Sequence, residues 1–218
     1  MKKLSFLLLL TIIAGYSFAQ GDKYTQAMMP KIAALDSTST PEGYLELANA
    51  FERIAVAEKT QWLPYYYAAL SNVLSGYTAS NGAAGGNAEK LDPLADKAEA
   101  LLNKAEEMSK NNSEIFVVKK MIASLRLVAD PMNRYMQYGP IAQQALETAR
   151  KLDPENPRTY LLEGQDKLYT PEQYGGSKTE AKKLFETALQ KYDTHKPETA
   201  ISPNWGKTMT QYFISQAQ

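Results

Sequence analysis

Cysteine is absent from the chain, and only one histidine occurs among its 218 residues. The lack of cysteine excludes a disulfide, a thiolate nucleophile, a cysteine metal ligand and a thiol for lipid attachment at a processed N-terminus. His195 lies in a Thr-His-Lys-Pro segment, with no second histidine to share a metal ion and no context for a Ser-His-Asp triad. We interpret it as a solvated loop residue. The sequence therefore predicts no catalytic residue, no bound metal and no cofactor.

An excess of charge of either sign is also absent. Basic and acidic side chains number 24 each. Without residues 1–19, which hold two lysines and no acid, 22 basic side chains remain against 24 acidic ones, a formal charge of −2. This balance gives no electrostatic attraction to a nucleic acid or to an anionic membrane. We expect neither as a partner.

Long apolar runs are absent after the N-terminus. Lys2 and Lys3 precede an apolar run over 4–18, and Ser17 with Ala19 forms the small-residue pattern of a cleavage site. A run of about 15 residues is shorter than the roughly 20 that a spanning helix needs, so a cleaved signal peptide over 1–19 is favoured over a membrane anchor. The mature chain is expected in the periplasm of a Gram-negative bacterium or outside the cell, without stable membrane insertion.

Strand patterns are missing from the mature chain. Apolar residues recur at spacings of three and four almost throughout, and no segment shows strict alternation. The sequence therefore predicts an all-α fold in a single domain over 20–218. The helices are expected at 22–35, 42–59, 63–77, 92–109, 113–129, 134–152, 157–168, 177–192 and 206–216.

Two segments of this domain are expected to differ from the rest. Residues 75–90 include the glycine-rich stretch SGYTASNGAAGGN, which predicts a flexible loop. Residues 204–218 carry Met209, Tyr212 and Phe213 on one helix face. An amphipathic terminal helix suits a cap that seals the open end of a helical array.

Three predicted helices share one pattern: alanine, two spacers, two adjacent apolar or small residues, two spacers and alanine. Small side chains one turn either side of a large one let a neighbouring helix approach closely. Such a recurrence over a long period is typical of repeat proteins. The pattern occurs at Ala98, Leu101, Leu102 and Ala105, at Ala142, Ala145, Leu146 and Ala149, and at Ala181, Leu184, Phe185 and Ala188.

The pattern resembles the second helix of the tetratricopeptide repeat (TPR) family. The match is most complete where Pro154 follows the middle set, whereas Asp193 stands where the next unit should have proline. The resemblance covers about residues 41–192 and implies an irregular α-solenoid of antiparallel helix pairs. The distances in sequence between successive alanine patterns exceed the 34-residue period of the family. The extra residues fall at 129–138 and 169–177. Another kind of helical hairpin array would use the same small-residue packing. The family's first-helix pattern is matched by Tyr44, Leu47, Ala48 and Phe51, and in part by Tyr160 and Gly164.

The resemblance to TPR proteins implies a function. Such a protein would be a non-enzymatic scaffold that binds a segment of an unidentified protein or peptide along a concave face lined by the first helix of each pair. A groove of mixed polarity suits a peptide better than a nucleic acid. The groove positions that the family has on its first helices correspond in this sequence to three sets of residues. These are Glu42, Leu45, Asn49 and Glu52, then Glu114, Val117 and Met121, then Arg158, Leu161 and Gln165.

Aromatic residues suggest an alternative function, a periplasmic protein that binds a small ligand such as a saccharide or a peptide. Adjacent helix positions point about 100° apart, so three successive tyrosines cannot all face one core. Core packing is the competing interpretation for these side chains. The candidates are Trp62, Tyr65, Tyr66 and Tyr67 at the start of one helix, and Tyr169 and Tyr174 in a later loop.

Acidic pairs leave a third function open, a carboxylate-dependent hydrolase. Such an enzyme needs two acids held about 5–10 Å apart in a cleft. Glu106 with Glu107 and Asp153 with Glu155 are adjacent or nearly so in sequence. Acids at these spacings are also expected on solvated helix surfaces and in Asp-Pro turns, which is the simpler interpretation.

Overall fold

The chain is all-α in a computed structural model that describes residues 23–80, 85 and 87–217. These residues form nine α-helices and one short 3-10 turn, and no strand occurs among them. None of the helices in this part is long and apolar enough to cross a bilayer. The predicted signal peptide lies outside the described residues. The helices are α1 over 23–35, α2 Pro41–Ala57, α3 Trp62–Ser80, α4 Ala88–Met108, α5 Ser113–Ala129, α6 Pro131–Leu152, α7 Pro157–Tyr169, α8 Lys178–Thr194 and α9 Lys207–Gln216, with the 3-10 turn at Glu172–Tyr174.

Several helices begin where a side chain caps the free backbone N–H groups of the first turn. Thr40 accepts a hydrogen bond from the amide of Gly43 at the start of α2, and Asn156 accepts one from Arg158 at the start of α7. In both helices a proline follows the cap, in a position where its missing N–H costs nothing. Helices α2 and α7 therefore begin within one residue of the starts that the sequence predicts, 42 and 157.

The helices pack in two layers. Helix α5 contacts both α3 and α7, and α2, α4, α6 and α8 pack against these three as antiparallel neighbours. Glu114 in α5 reaches both Tyr66 in α3 and Arg158 in α7, all three near the N-terminal ends of their helices. Helices α3, α5 and α7 therefore run parallel to one another, in a layer called here the odd layer.

The recurring alanines lie between the layers. Ala98, Ala105, Ala149, Ala181 and Ala188 are fully buried, and Ala142 and Ala145 are nearly so. The close helix approach that the pattern predicts is thus observed. Residues Tyr44, Ala48, Phe51 and Ala55 bury the corresponding stripe of α2 against α3, so α2 packs like the other even-numbered helices.

Two interhelical segments differ from the prediction. Helix α3 continues to Ser80 and α4 begins at Ala88, so the expected loop over 75–90 was wrong at both ends. Helix α6 begins at Pro131, so most of the surplus segment 129–138 is helical rather than a connection. The loop was predicted from the glycines of its central stretch, and the surplus segment from the period of the repeat. Pro93 and Pro140 lie inside α4 and α6, as they do in the predicted helices 92–109 and 134–152.

Candidate functional site

The predicted groove residues on α2 do not share a face with those on α7. Helix α2 buries its small-residue stripe against α3, which makes it equivalent to the second rather than the first helix of a pair. Glu42 and Asn49 are exposed, and Leu45 is half-buried. Glu52 pairs with Lys97 of α4 at 2.7 Å. These four positions therefore lie in the other layer, apart from the predicted groove positions on α7, and their role in binding stays a prediction.

The predicted groove residues on α5 and α7 lie in one layer, and the chain's own C-terminal part covers Arg158 and Leu161 of α7. Arg158 and Leu161 are fully buried, as are Val117 and Met121. Gln165 is half-buried, and its side-chain amide lies 3.8 Å from the sulfur of Met209. The odd layer thus forms the face that the repeat frame predicts, with its centre already filled.

The tyrosine run at the start of α3 belongs mainly to the core. Tyr66 and Tyr67 are fully buried, whereas Trp62 and Tyr65 are half-buried. Trp62 packs edge-on against Tyr66 with ring centroids 5.4 Å apart. A ligand therefore cannot reach Tyr66 and Tyr67, which corrects their assignment to an aromatic site; the competing interpretation of core packing is confirmed for these two.

A buried polar network joins the three helices of the odd layer. The hydroxyl of Tyr66 donates to Glu114 Oε2 at 2.7 Å, and Arg158 Nη1 donates to Glu114 Oε1 at 3.1 Å. The guanidinium of Arg158 also faces the ring of Trp205 at 5.2 Å. Burial raises the pKa of Tyr66 well above its ordinary value, so the phenol stays a neutral donor. The network balances the buried charge of Arg158, as a buried ion requires.

His195 lies at the C-terminal end of α8, half-buried rather than in a fully solvated loop. Burial lowers its pKa, and the positive charge of Arg158 acts in the same direction. The imidazole is therefore neutral at neutral pH.

The two tyrosines of the later loop are exposed. Tyr169 ends α7 and Tyr174 lies in the 3-10 turn, at the opposite end of α7 from Arg158. The ring of Tyr169 packs edge-on against Phe213 of α9 at 6.1 Å, and Tyr212 is exposed beside Phe213. Of the predicted aromatic site, the structure therefore leaves Tyr169 and Tyr174 available to a ligand.

A second exposed surface lies on the first half of α6 and escaped the sequence analysis. Met132, Tyr135 and Met136 are 93%, 61% and 83% exposed. No residue from 131 to 141 is buried, whereas four residues after Pro140 are. Positions i, i+3 and i+4 share one helix face, so these three side chains form one strip, called here the α6 face. The same spacing in the sequence is the signal that could have revealed it.

The ion pair between Arg134 and Asp92, called here the anchor of the α6 face, fixes the first half of α6 to α4. Both terminal nitrogens of Arg134 bind the carboxylate of Asp92 in α4, at 2.6 and 2.8 Å, and one also donates to the carbonyl of Arg126. Gly139 lies under the ring of Tyr135, since a Cβ there would be 3.7 Å from it. The half-helix is thus fixed on its polar side while its apolar side faces solvent.

The chemistry of the α6 face is unusual for a protein surface. Exposed apolar residues usually occur singly, and a contiguous set marks an interaction surface. Two methionines and a tyrosine combine an adaptable apolar surface with thioether sulfur and a phenol oxygen. Such a surface can pack against an apolar molecule and also offer it a polar atom.

A shallow hollow of about 370 Å³ lies between the C-terminal half of α6 and α7. It is lined in part by Arg150, Tyr160 and Glu163. Arg150 pairs with Glu163 at 2.6 Å and faces the ring of Tyr160 at 4.6 Å. Glu147 also lines the hollow, and Glu163 is paired with the base Arg150 rather than with this second acid.

Comparison with known proteins places the chain in a family. No protein-family model and no curated protein matches it. Among solved structures it is similar to the HusA haemophore from Porphyromonas gingivalis, with 34% sequence identity and a TM-score of 0.76. The match covers 89% of this chain and 92% of the haemophore. The chain therefore belongs to the family of the HusA haemophore.

Proposed function

We propose that this chain is an exported, non-enzymatic protein that binds haem on the α6 face. The observation that carries the proposal is the exposure of Met132, Tyr135 and Met136 on a helix that is otherwise firmly anchored. Its family membership supports haem as the ligand, because the related protein is a haemophore. The N-terminal signal pattern of the sequence supports export.

The residues of the α6 face fit the chemistry of haem. Haem is a flat, largely apolar ring, and its iron accepts methionine sulfur or tyrosine oxygen as an axial ligand. Methionine side chains adapt to an apolar surface, and a tyrosine ring can pack against a flat macrocycle. Arg134 and Arg126 beside the face are engaged with acids of α4, so we attribute the affinity mainly to apolar contact.

Two alternatives from the sequence are less well supported. A TPR-like groove for a partner peptide agrees with the paired helices and the buried alanines, but its central positions Arg158 and Leu161 are buried. A ligand platform at Tyr169 and Tyr174 agrees with their exposure, but Tyr169 also packs on Phe213. The α6 face carries three exposed side chains without such a packing role, and it is the site we propose.

The proposal is tested by titrating haemin into the mature chain and following the absorbance of the bound haem. The test variant is Met132→Ser, Tyr135→Ser, Met136→Ser. The matched control replaces two other exposed methionines and one other exposed tyrosine, as Met29→Ser, Met108→Ser, Tyr212→Ser. Each fully buried apolar side chain contributes about 1.5–3 kcal/mol, and 1.4 kcal/mol corresponds to a factor of ten. We expect the test variant to lose affinity by about tenfold or more.

The control variant should bind haemin as the unaltered chain does. Equal affinity in the test variant and the unaltered chain would refute the α6 face as the site. The same titration with iron-free protoporphyrin separates ring packing, which both ligands share, from ligation of the iron, which only haem provides.

A further inference from the structure

Within the C-terminal segment, residues 199–217, the stretch 201–206 lies on the odd layer in the manner of a bound peptide, while α9 packs against α8. Ile201, Trp205 and Phe213 are buried, and the contacts come from three different helices. Tyr67 of α3 donates to the carbonyl of Ile201 at 3.0 Å, and Tyr192 of α8 donates to the carbonyl of Trp205 at 3.1 Å. Tyr67 and Tyr192 lie 134 and 13 residues before the carbonyls to which they donate. The segment is therefore held by a surface that forms only when separate helices come together.

Trp205 is the anchor of this segment. Its indole nitrogen donates to the hydroxyl of Tyr66 at 2.9 Å, and its ring faces the buried guanidinium of Arg158. A buried tryptophan that also forms a hydrogen bond is the commonest kind of energetic centre in a protein interface. The next residue, Gly206, has a φ of +106° and lies against Leu161 and the hydroxyl of Tyr192. A side chain at this position would collide with both.

The polypeptide enters this site without regular structure. Residues 201–206 form no helix, and main-chain carbonyls accept the hydrogen bonds from tyrosine hydroxyls. Recognition through main-chain carbonyls, with a pocket for one large side chain, is a mode by which proteins bind extended peptides. The connection over 196–198 is exposed and non-helical, so the segment is tethered to α8 by residues that are not themselves part of the contact.

We propose that the odd layer is a peptide-binding groove that the chain's own C-terminal segment occupies. The occupant that can replace this segment is an extended segment of a partner protein with the same chemistry. It would carry a branched aliphatic residue four positions before a tryptophan, followed by glycine. This site is separate from the α6 face, and the inference does not depend on haem binding.

The test uses the full mature chain with a protease site inserted between Lys196 and Pro197, both of which precede the bound segment. After cleavage, the tail is no longer covalently attached and a labelled peptide of residues 198–218 can compete for its place. Before cleavage the tethered tail competes at an effective concentration in the millimolar range. We therefore expect the cleaved protein to take up the peptide at least about tenfold more strongly than the uncleaved protein, as measured by fluorescence anisotropy.

Peptide variants define the contact. A peptide with Trp205→Ala should compete at least about tenfold less well, since the anchor is lost, and one with Tyr212→Ala should compete as the unaltered peptide does, since Tyr212 is exposed. Equal competition by both variants would overturn the proposal. So would failure of excess peptide to displace the cleaved tail, or loss of helical circular dichroism when the tail leaves. A dimer of the uncleaved chain would also overturn the proposal, because the occupant would then be the C-terminal segment of a second copy.

Discussion

The indole nitrogen of Trp205 donates a hydrogen bond to the hydroxyl of Tyr66, which in turn donates to Glu114. Two residues 139 positions apart thus share one buried polar chain. Glu114 also accepts hydrogen bonds from Asn156 and Arg158 through its other carboxylate oxygen, whereas the Tyr66 hydroxyl is the acceptor of the buried indole N–H of Trp205. The hydroxyl therefore links the C-terminal segment to the odd layer.

Replacement of Tyr66 by phenylalanine tests this link. The change keeps the ring but leaves the indole N–H of Trp205 without its acceptor and Glu114 without one donor. Leaving a buried polar group unsatisfied costs about 1–3 kcal/mol, so Tyr66→Phe should lower the free energy of unfolding by that amount in a urea titration. The control Tyr212→Phe alters an exposed tyrosine and should change stability by less than about 0.5 kcal/mol. Equal stability of the two variants would contradict the role of the hydroxyl.

The contact between α7 and α8 provides a second prediction. A Cβ on Gly164 would lie 2.5 Å from Cε1 of Phe185, so Gly164→Ala forces that ring to move. Overfilling a packed core typically costs about 1–3 kcal/mol. At Gly139 the nearest atom would be 3.7 Å away, and Gly139→Ala should be neutral or stabilising by up to about 1 kcal/mol through helix propensity. Thermal unfolding of both variants measures the difference, and a destabilised Gly139→Ala beside an unaffected Gly164→Ala would contradict the packing described.

The buried alanines provide a third prediction. Ala149 is fully buried, and its carbonyl accepts a hydrogen bond from Ser113 of α5 at 2.8 Å. A leucine at this position has to push the neighbouring helix away, so Ala149→Leu should cost about 1–3 kcal/mol of unfolding free energy. Ala100 lies exposed on α4, and Ala100→Leu should leave stability nearly unchanged. Two variants of equal stability would place Ala149 outside the helix contact.

The anchor of the α6 face should weaken in acid. The hydrogen bonds from Arg134 lower the pKa of Asp92 below its ordinary value, which for aspartate is about 3.9. A carboxyl whose pKa is lower in the folded state stabilises the fold above its unfolded pKa, and this contribution is lost as the pH falls through the folded pKa. The stability difference between the unaltered chain and Asp92→Asn should therefore shrink as the pH is lowered from 7 to about 3. Urea titrations across this range measure it, and a difference independent of pH would refute the coupling.

Much of the fold followed from local rules. The alanine pattern reports helix contacts directly, because only small side chains permit a close approach, and the caps at Thr40 and Asn156 fix where α2 and α7 begin. The role of α2 could not be assigned in the same way. Tyr44, Ala48 and Phe51 fit the pattern of a first helix in sequence, but the position of the helix in the stack depends on what precedes it, and α1 lies ahead of it along the chain.

The sites were harder to predict because they depend on contacts far apart in sequence. The groove positions Arg158 and Leu161 were placed on a surface that the repeat frame leaves open, and only the fold shows Trp205 and Gly206 returning to cover it. The α6 face was missed because residues 129–138 were assigned from the repeat period as surplus between two helices, and the spacing of Met132, Tyr135 and Met136 was not considered. Exposure of Met132 and Met136 is a property of the packed molecule and not of the helix that carries them.

The most direct test of the account is an NMR titration of the mature chain labelled with 13C at the methionine methyl groups. The chain has eight methionines, and Met132 and Met136 are the most exposed among those described. Ferric haem broadens the signals of nuclei close to its iron. Haem bound to the α6 face should broaden the signals of Met132 and Met136 first and leave the buried Met28 and Met121 unaffected. Unchanged signals from Met132 and Met136 at saturating haem would contradict the proposed site.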